Sequence, residues 1–154
     1  NVLDIGTGSG ILAIAAAKLG AREVIALDTD RMAVKIARAN AKSNGVNHGI
    51  RFYHGTVPHS RIMNATFALI LANIYARVLT DMAPHFISML KMGGLLVASG
   101  ILLDQLSEVE DAFQGAGLHI NQRIQTEGPI EPAMLYQYQG QEEWVTLITQ
   151  PSVA

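Results

Sequence analysis

Asn1-Val2-Leu3-Asp4-Ile5-Gly6-Thr7-Gly8-Ser9-Gly10 reads as an apolar strand that runs into a glycine-rich turn. The residues that follow, Ile11 to Leu19, are small and apolar and read as a helix. A strand–turn–helix unit of this kind brings backbone N–H groups and a helix N-terminus close to a ligand. The second strand, Glu23-Val24-Ile25-Ala26-Leu27-Asp28, ends in a carboxylate. That carboxylate lies about twenty residues after the first glycines, where dinucleotide folds grip ribose hydroxyls. The pair of features points to a nucleoside cofactor.

Two details separate this pattern from an NAD site. The dinucleotide fingerprint G-x-G-x-x-G places its third glycine where the pyrophosphate and a close helix–strand contact demand it. Here that place holds Ile11, and the glycines fall at Gly6, Gly8 and Gly10. Asp4 also stands at the mouth of the turn. A carboxylate there repels a pyrophosphate and suits a cationic amino group, such as that of the methionine part of S-adenosylmethionine. The other reading of Asp4 is a strand-end residue that satisfies loop amides.

The chain has 154 residues, enough for one domain with a sizeable core. It is 49% hydrophobic and 16% charged, which excludes a disordered chain. A net charge of −2 gives no broad attraction to nucleic acid, and direct nucleic-acid binding is not expected. The absence of cysteine excludes disulfide frameworks and thiolate metal sites, and fits a cytoplasmic protein. No apolar run approaches the ~20 residues of a membrane span, and no signal peptide is visible. The five histidines show no metal-ligand spacing, so no metal is expected. Lys35, Arg38 and Lys42 form a basic stripe on a helix, read as a solvated face with an acidic partner or RNA as the alternative.

Strands and helices alternate, which predicts a mostly parallel sheet covered on both faces. A helix is expected from Asp30, a good N-cap, to Asn44-Gly45, with Val34, Ala37 and Ala41 on its apolar face. Ile50 to His54 and Phe67 to Ala72 are further strands. Gly55 to Thr66 lacks helical periodicity, so the third crossover helix is short or missing. A helical region follows from Ile74 to Leu90, with Val78, Met82, Phe86, Met89 and Leu90 as core candidates and a kink or break at Pro84. Gly93-Gly94 turns the chain into a strand at Leu95–Ser99, and a helix covers Asp104 to Gly115. Leu118 to Gln125 and Glu143 to Thr149 follow with no helix between them, which favours an antiparallel edge pair. The long link from Thr126 to Gln141 reads as functional or mobile. The first strand of such a sheet is central, so a chain that begins inside it reads as a fragment lacking an N-terminal portion.

Val2-Leu3-Asp4-Ile5-Gly6-Thr7-Gly8-Ser9-Gly10 resembles motif I of class I S-adenosylmethionine-dependent methyltransferases. Leu71-Ala72-Asn73-Ile74-Tyr75-Ala76, Leu90-Lys91-Met92-Gly93-Gly94, Ala98-Ser99-Gly100-Ile101-Leu102 and Glu143-Trp144-Val145 follow in the order seen in the PrmA type. That family methylates amino groups of the large-subunit ribosomal protein eleven. The resemblance implies an α/β, Rossmann-like, doubly wound sheet of seven strands in the order 3-2-1-4-5-7-6, with the last strand antiparallel. It implies S-adenosylmethionine as cofactor and a ribosomal protein as substrate. It also implies that residues 1–154 are the methyltransferase domain, with a separate substrate-recognition domain upstream.

The residues expected to hold the cofactor are Asp4, Gly6, Thr7, Gly8, Gly10, Asp28, Thr29, Thr56 and Asn73. Asn73 is also the expected catalytic residue. It stands at a strand end beside the crevice, where an amide carbonyl accepts from the substrate amine and aims its lone pair. Its alternative is a helix N-cap. Tyr75 either walls the pocket or packs. Two positions depart from the family: His54-Gly55-Thr56-Val57 offers no acid for adenine, and Ala68 stands where aspartate is usual. A related protein-lysine methyltransferase and a non-catalytic nucleoside-binding module are the competing readings.

Overall fold

The computed structural model describes residues 1–46, 48–127 and 143–152. Its centre is β1 (Val2–Ile5), buried along its whole length. The side chains of β1 alternate between two cores. Leu3 and Ile5 join Ile25, Leu27, Ile70 and Ala72 on one face. Val2 joins Val24, Ala26 and Phe52 on the other. A strand covered on both sides is apolar at successive positions, and β1 is so at all but Asp4, which is buried with the rest.

Parallel neighbours flank β1: β2 (Val24–Asp28) on one side and β4 (Phe67–Asn73) on the other. β3 (Ile50–His54) extends the sheet beyond β2, and β5 (Leu90–Leu102) extends it beyond β4, both in parallel. β7 (Glu143–Pro151) pairs antiparallel with β5, and β6 (Leu118–Glu127) pairs antiparallel with β7 at the edge. The order is β3-β2-β1-β4-β5-β7-β6. This is the expected seven-stranded Rossmann-like sheet with the antiparallel β7.

Helices cover both faces. α1 (Ile11–Lys18) and α2 (Arg31–Ser43) supply Ala13, Ile14, Val34, Ala37 and Ala41 to the core that holds Val2. α3 (Ala76–Met89) and α4 (Leu106–Gly115) supply Leu79, Met82, Phe86, Val109 and Phe113 to the other. Phe86 and Phe113 meet edge to face, centroids 6.0 Å apart at 82°. That geometry sets the positive ring edge against the negative face. Asp30 caps α2 as its sequence suggested, accepting from the Met32 N–H at 2.7 Å. Between β3 and β4 there is only a 3₁₀ turn, Ser60–Ile62, as the aperiodic stretch predicted.

Three expectations need correction. Of the kink or break expected at Pro84, the break is absent: α3 is continuous from Ala76 to Met89. The proline is exposed, so its ring and the carbonyl its missing N–H frees lie on the solvent side of the helix. The Gly93-Gly94 pair is not a turn before β5 but a bulge inside it. Phe67 pairs with Leu90 and Leu69 with Leu95, so β5 carries extra residues opposite β4. A Cβ on Gly94 would come 2.9 Å from the carbonyl oxygens of Phe67 and Lys91, so only glycine fits the bulge. Val78, expected in the core, is 40% exposed. The link from Thr126 to Gln141 is described only up to Glu127, the last residue of β6; the remainder of that expectation lies outside the described residues. Among the described residues no helix is long and apolar enough to cross a membrane.

Phe113→Ala should lower the unfolding free energy by about 3–5 kcal/mol, because the ring is fully buried and its loss leaves a cavity beside Phe86. Met92→Ala, at a fully exposed side chain, should stay within about 0.5 kcal/mol. Denaturant titration reads both, and equal losses would show that the α3–α4 core is not the stabilising one.

Candidate functional site

The carboxyl ends of β1, β2, β4 and β5 open on a common cleft of about 470 Å³. It lies where the chain order reverses: β2 and β3 go one way from β1, and β4 and β5 go the other. Open α/β sheets bind ligands at such a switch point, because the loops leaving adjacent strands diverge there.

The glycine turn forms one side of the cleft. Gly6, Gly8 and Gly10 all have positive φ (71°, 54° and 85°). A Cβ on Gly6 would fall 2.2 Å from Ile74 Cγ2, and one on Gly10 would fall 3.0 Å from Ala37 Cβ. The first glycine therefore lets the β4 end close on the turn, and the third lets α1 start against α2. The Gly6 and Thr7 N–H groups donate to the Leu27 carbonyl, each at 2.9 Å, which ties the turn to the end of β2.

Asp28 reaches the cleft from that end of β2. Its Oδ2 accepts from the Gly8 N–H at 2.8 Å, and its Oδ1 accepts from the Asp30 N–H at 2.9 Å. Each carboxylate oxygen has a second acceptor site. The carboxylate is thus fixed in place and still able to take two hydroxyl donors from a ligand. Thr29, Gly55 and Thr56 continue this wall.

Across the cleft stands Asn73, the last residue of β4, exposed and paired in register with Ser99. The N-cap of α3 is Tyr75, two residues later, so Asn73 does not cap that helix and its amide is free for another role. Gly100 (φ 83°) brings β5 beside it. A Cβ there would lie 2.9 Å from both Asn73 Oδ1 and the Ile74 carbonyl oxygen. Tyr75, 84% exposed, sits at the rim with Val78, while Met82 and Trp144 line the wall below.

Asp4 is placed differently from the other expected residues. It is fully buried and is not part of the lining. It points to the α1 side, where its Oδ2 accepts from the Thr7 hydroxyl at 2.6 Å and from the Ala13 N–H at 3.1 Å. Its Oδ1 is buried with no partner among the described residues. Burial pushes its carboxyl from an ordinary value near 3.8 up to about 6, with the negative Asp28 adding to the rise; the hydrogen bonds from Thr7 and Ala13 act against it. Asp4 thus ties the Thr7 hydroxyl of the loop and the Ala13 N–H of the helix together behind the cleft surface.

The structure thus brings Gly6, Asp28, Thr29, Thr56 and Asn73 to the cleft surface, and sets Asp4, Thr7, Gly8 and Gly10 behind it as supports. Sequence reading missed Gly55, Met82, Gly100 and Trp144 as lining residues. Gly100 and Trp144 stand inside recognised segments, but their contacts depend on pairings between strands remote in sequence. Ala68 lies at the start of β4, with its N–H on the Asn1 carbonyl, at the opposite end of the strand from the cleft. Among the described residues the lining holds one carboxylate and no lysine, arginine or histidine. Such a surface suits a neutral or cationic nucleoside and offers a pyrophosphate no cationic side chain.

Solved structures share this fold, among them several methyltransferases and the [4+2]-cyclase SpnF. Precorrin-6y C5,15-methyltransferase from Geobacter metallireducens superposes with a TM-score of 0.74 at 18% identity, over 99% of this chain and 78% of its own. Nearer in sequence is the ribosomal protein L11 methylase of Lactobacillus delbrueckii subsp. bulgaricus, with a TM-score of 0.82 at 33% identity, covering 99% of this chain and 70% of that one. The model of the ribosomal protein L11 methyltransferase (PrmA) family matches residues 1–131, and the chain belongs to that family. Its relatives include the ribosomal protein L11 methyltransferases of Chloroflexus aurantiacus, 42% identical over 77% of this chain, and of Deinococcus radiodurans, 39% identical over 83%. Those matches take in 43% and 48% of the relatives' lengths, so the chain spans about half the length of the curated relatives it matches.

The Asp4 carboxyl gives a signed pH prediction. Between about pH 4 and 6 the folded chain holds a proton that the unfolded chain has released, so ionising Asp4 costs stability as pH rises through 6. The shift corresponds to about 3 kcal/mol at full ionisation. Asp4→Asn keeps an acceptor for Thr7 and Ala13 but cannot ionise. Its melting temperature relative to the unsubstituted chain should therefore rise between pH 4.5 and 7.5. A gap that stays constant or narrows would show that the carboxyl ionises normally.

Proposed function

We propose that this chain is the methyltransferase domain of a protein N-methyltransferase that uses S-adenosylmethionine to modify amino groups of ribosomal protein L11. The observation that carries the reading is the pairing across one cleft of Asp28, held by two amides with acceptor sites to spare, and Asn73, a strand-end amide released from helix capping. Family membership supports it, as does a fold neighbour solved in complex with SAH. That neighbour has a TM-score of 0.75 but only 14% identity, so it speaks for the fold that holds such a ligand.

The residues present fit the cofactor. Asp28 would accept the ribose hydroxyls, the glycine turn would lie beside the amino-acid portion, and the cation-free lining would tolerate a sulfonium. When bound, S-adenosylmethionine supplies the electrophilic methyl group. Asn73 would accept an N–H of the substrate amine, so that the remaining lone pair faces the cofactor. Gly100, by leaving room at the Asn73 amide, sets that orientation. Met82, Val78 and Trp144 exclude water from the apolar side, which favours the neutral amine over its protonated form. The chemistry needs no metal. Loss of the family aspartate at Ala68 falls outside the cleft and does not weaken this reading. Recognition of the substrate protein, in the cytoplasm, is assigned to a part beyond these 154 residues, consistent with relatives about twice as long.

Asn73→Ala should cut the methyl-transfer rate by ~10²-fold or more with little change in SAH affinity, since it removes an interaction made with the acceptor. Transfer from a labelled methyl donor reads the first quantity and calorimetry the second; a near-normal rate would remove Asn73 from the chemistry. Asp28→Ala should weaken SAH binding by at least ~1.5 kcal/mol, because the hydroxyl donors lose a charged acceptor. NAD should give no binding heat. Tighter binding of NAD than of SAH would refute the cofactor assignment.

A further inference from the structure

The wall of the cleft formed by Asp28 and Thr29 is held from a strand that does not itself carry the ligand's acceptors. At the end of β2 the last ladder bond is Gly55 N–H to the Asp28 carbonyl, at 2.7 Å. Beyond it the chain leaves the sheet, and the next fixed point is Asp30, the N-cap of α2. Thr29 lies between them, with its carbonyl oxygen 3.1 Å from His54 Nε2. His54 pairs in register with Asp28, so its imidazole extends the sheet's grip by one residue past the last backbone bond.

The tautomers follow from the partners. A carbonyl only accepts, so His54 Nε2 carries the proton and donates to Thr29. His59 Nδ1 accepts from the Arg61 N–H at 3.2 Å, so that nitrogen is unprotonated. Its Nε2 lies 3.3 Å from the His54 carbonyl oxygen and must be the donor there. Gly55 makes room for this: a Cβ at that position would fall 2.9 Å from His59 Cδ2. The His59 ring also packs against Tyr53, centroids 5.7 Å apart. His59 therefore fixes the backbone of His54, and His54 fixes the backbone of Thr29.

We propose that His54 is a positioning residue for the nucleoside cofactor. Its hydrogen bond holds the Thr29 peptide, and through it the Asp28 carboxylate, in the geometry that receives the ligand, while His59 in its neutral form holds His54. This rests on the cofactor reading above. No other partner for the Thr29 carbonyl is present among the described residues. Without the imidazole that peptide is held only by the Asp30 N–H on Asp28 Oδ1, so it and the carboxylate it touches are looser, and a ligand has to order them on binding, which lowers affinity without touching the transfer step.

The test uses the full chain with SAH as probe. His54→Leu should weaken SAH binding about 5-fold, the worth of one neutral hydrogen bond near 1 kcal/mol. It should raise KM for S-adenosylmethionine by a similar factor and leave kcat unchanged. His54→Gln, whose amide N–H reaches toward the same carbonyl, should recover most of the affinity. A role confined to stability would shift the melting temperature of both variants and leave KM alone. SAH affinity in His54→Leu equal to that of the unsubstituted chain, or no rescue by His54→Gln, overturns the proposal. Failure of the unsubstituted chain itself to bind SAH overturns the cofactor reading, and this inference with it.

Discussion

The arrangement turns on a single buried carboxyl. Asp4 is the last residue but one of the central strand, and its Oδ2 gathers the Thr7 hydroxyl and the Ala13 N–H onto one atom. One bond ties the glycine turn and the other ties the first turn of α1. Strand, turn and helix are thereby locked to one another at the point where the cleft begins. Burial disfavours charge on this carboxyl and raises its pKa, while the two donors favour the charged acceptor and hold the rise in check. The unpartnered Oδ1 is the remaining cost. The turn therefore keeps its shape through a group that sits behind the ligand surface.

Everything at the surface is then placed by registers that start from this strand. β1 matches Asp4 to Ala26 and Leu71, so two residues further along the chain ends of β2 and β4 stand level beside the turn. Asp28 and Asn73 follow as the last residues of those strands. Parallel strands make this possible because all their carboxyl ends face the same way. An antiparallel neighbour would have put one of the two groups at the far edge. The antiparallel β7 enters only beyond β5, where it contributes Trp144 to the wall.

Much of this was legible in the sequence because it is local. The glycine spacing, the apolar runs of β1, β2 and β4, and the Asp30 cap each depend on a few adjacent residues, and the strand order came with the family resemblance. What escaped depends on contacts between segments far apart. The place of Gly100 depends on Asn73 and Ile74 standing against it, two residues far away in sequence. Val78 has helical spacing appropriate to a core, yet it falls over the cleft rather than over the sheet. Gly93-Gly94 has the composition of a turn, and only the Phe67–Leu90 pairing makes it a bulge. Pro84 follows the rule for helix breakers in sequence and departs from it in space, because its exposure leaves the freed carbonyl on the solvent side of the helix.

The basic stripe on α2 shows how one helix can meet two demands. Lys35 and Lys42 are exposed, as a solvated face requires. Arg38 turns back, and its guanidinium donates to the Phe52 carbonyl of β3 at 2.7 Å. β3 is the edge of the sheet, and an open edge offers unpaired carbonyls to any passing strand. Two carbonyls of β3 are taken by side chains: Phe52 by Arg38 and His54 by His59. The second of these is also the bond that steadies the cleft wall. The same side-chain capping that makes the edge unattractive to another strand thus reaches the site, and it does so through the one strand of the parallel set that has a neighbour on only one side.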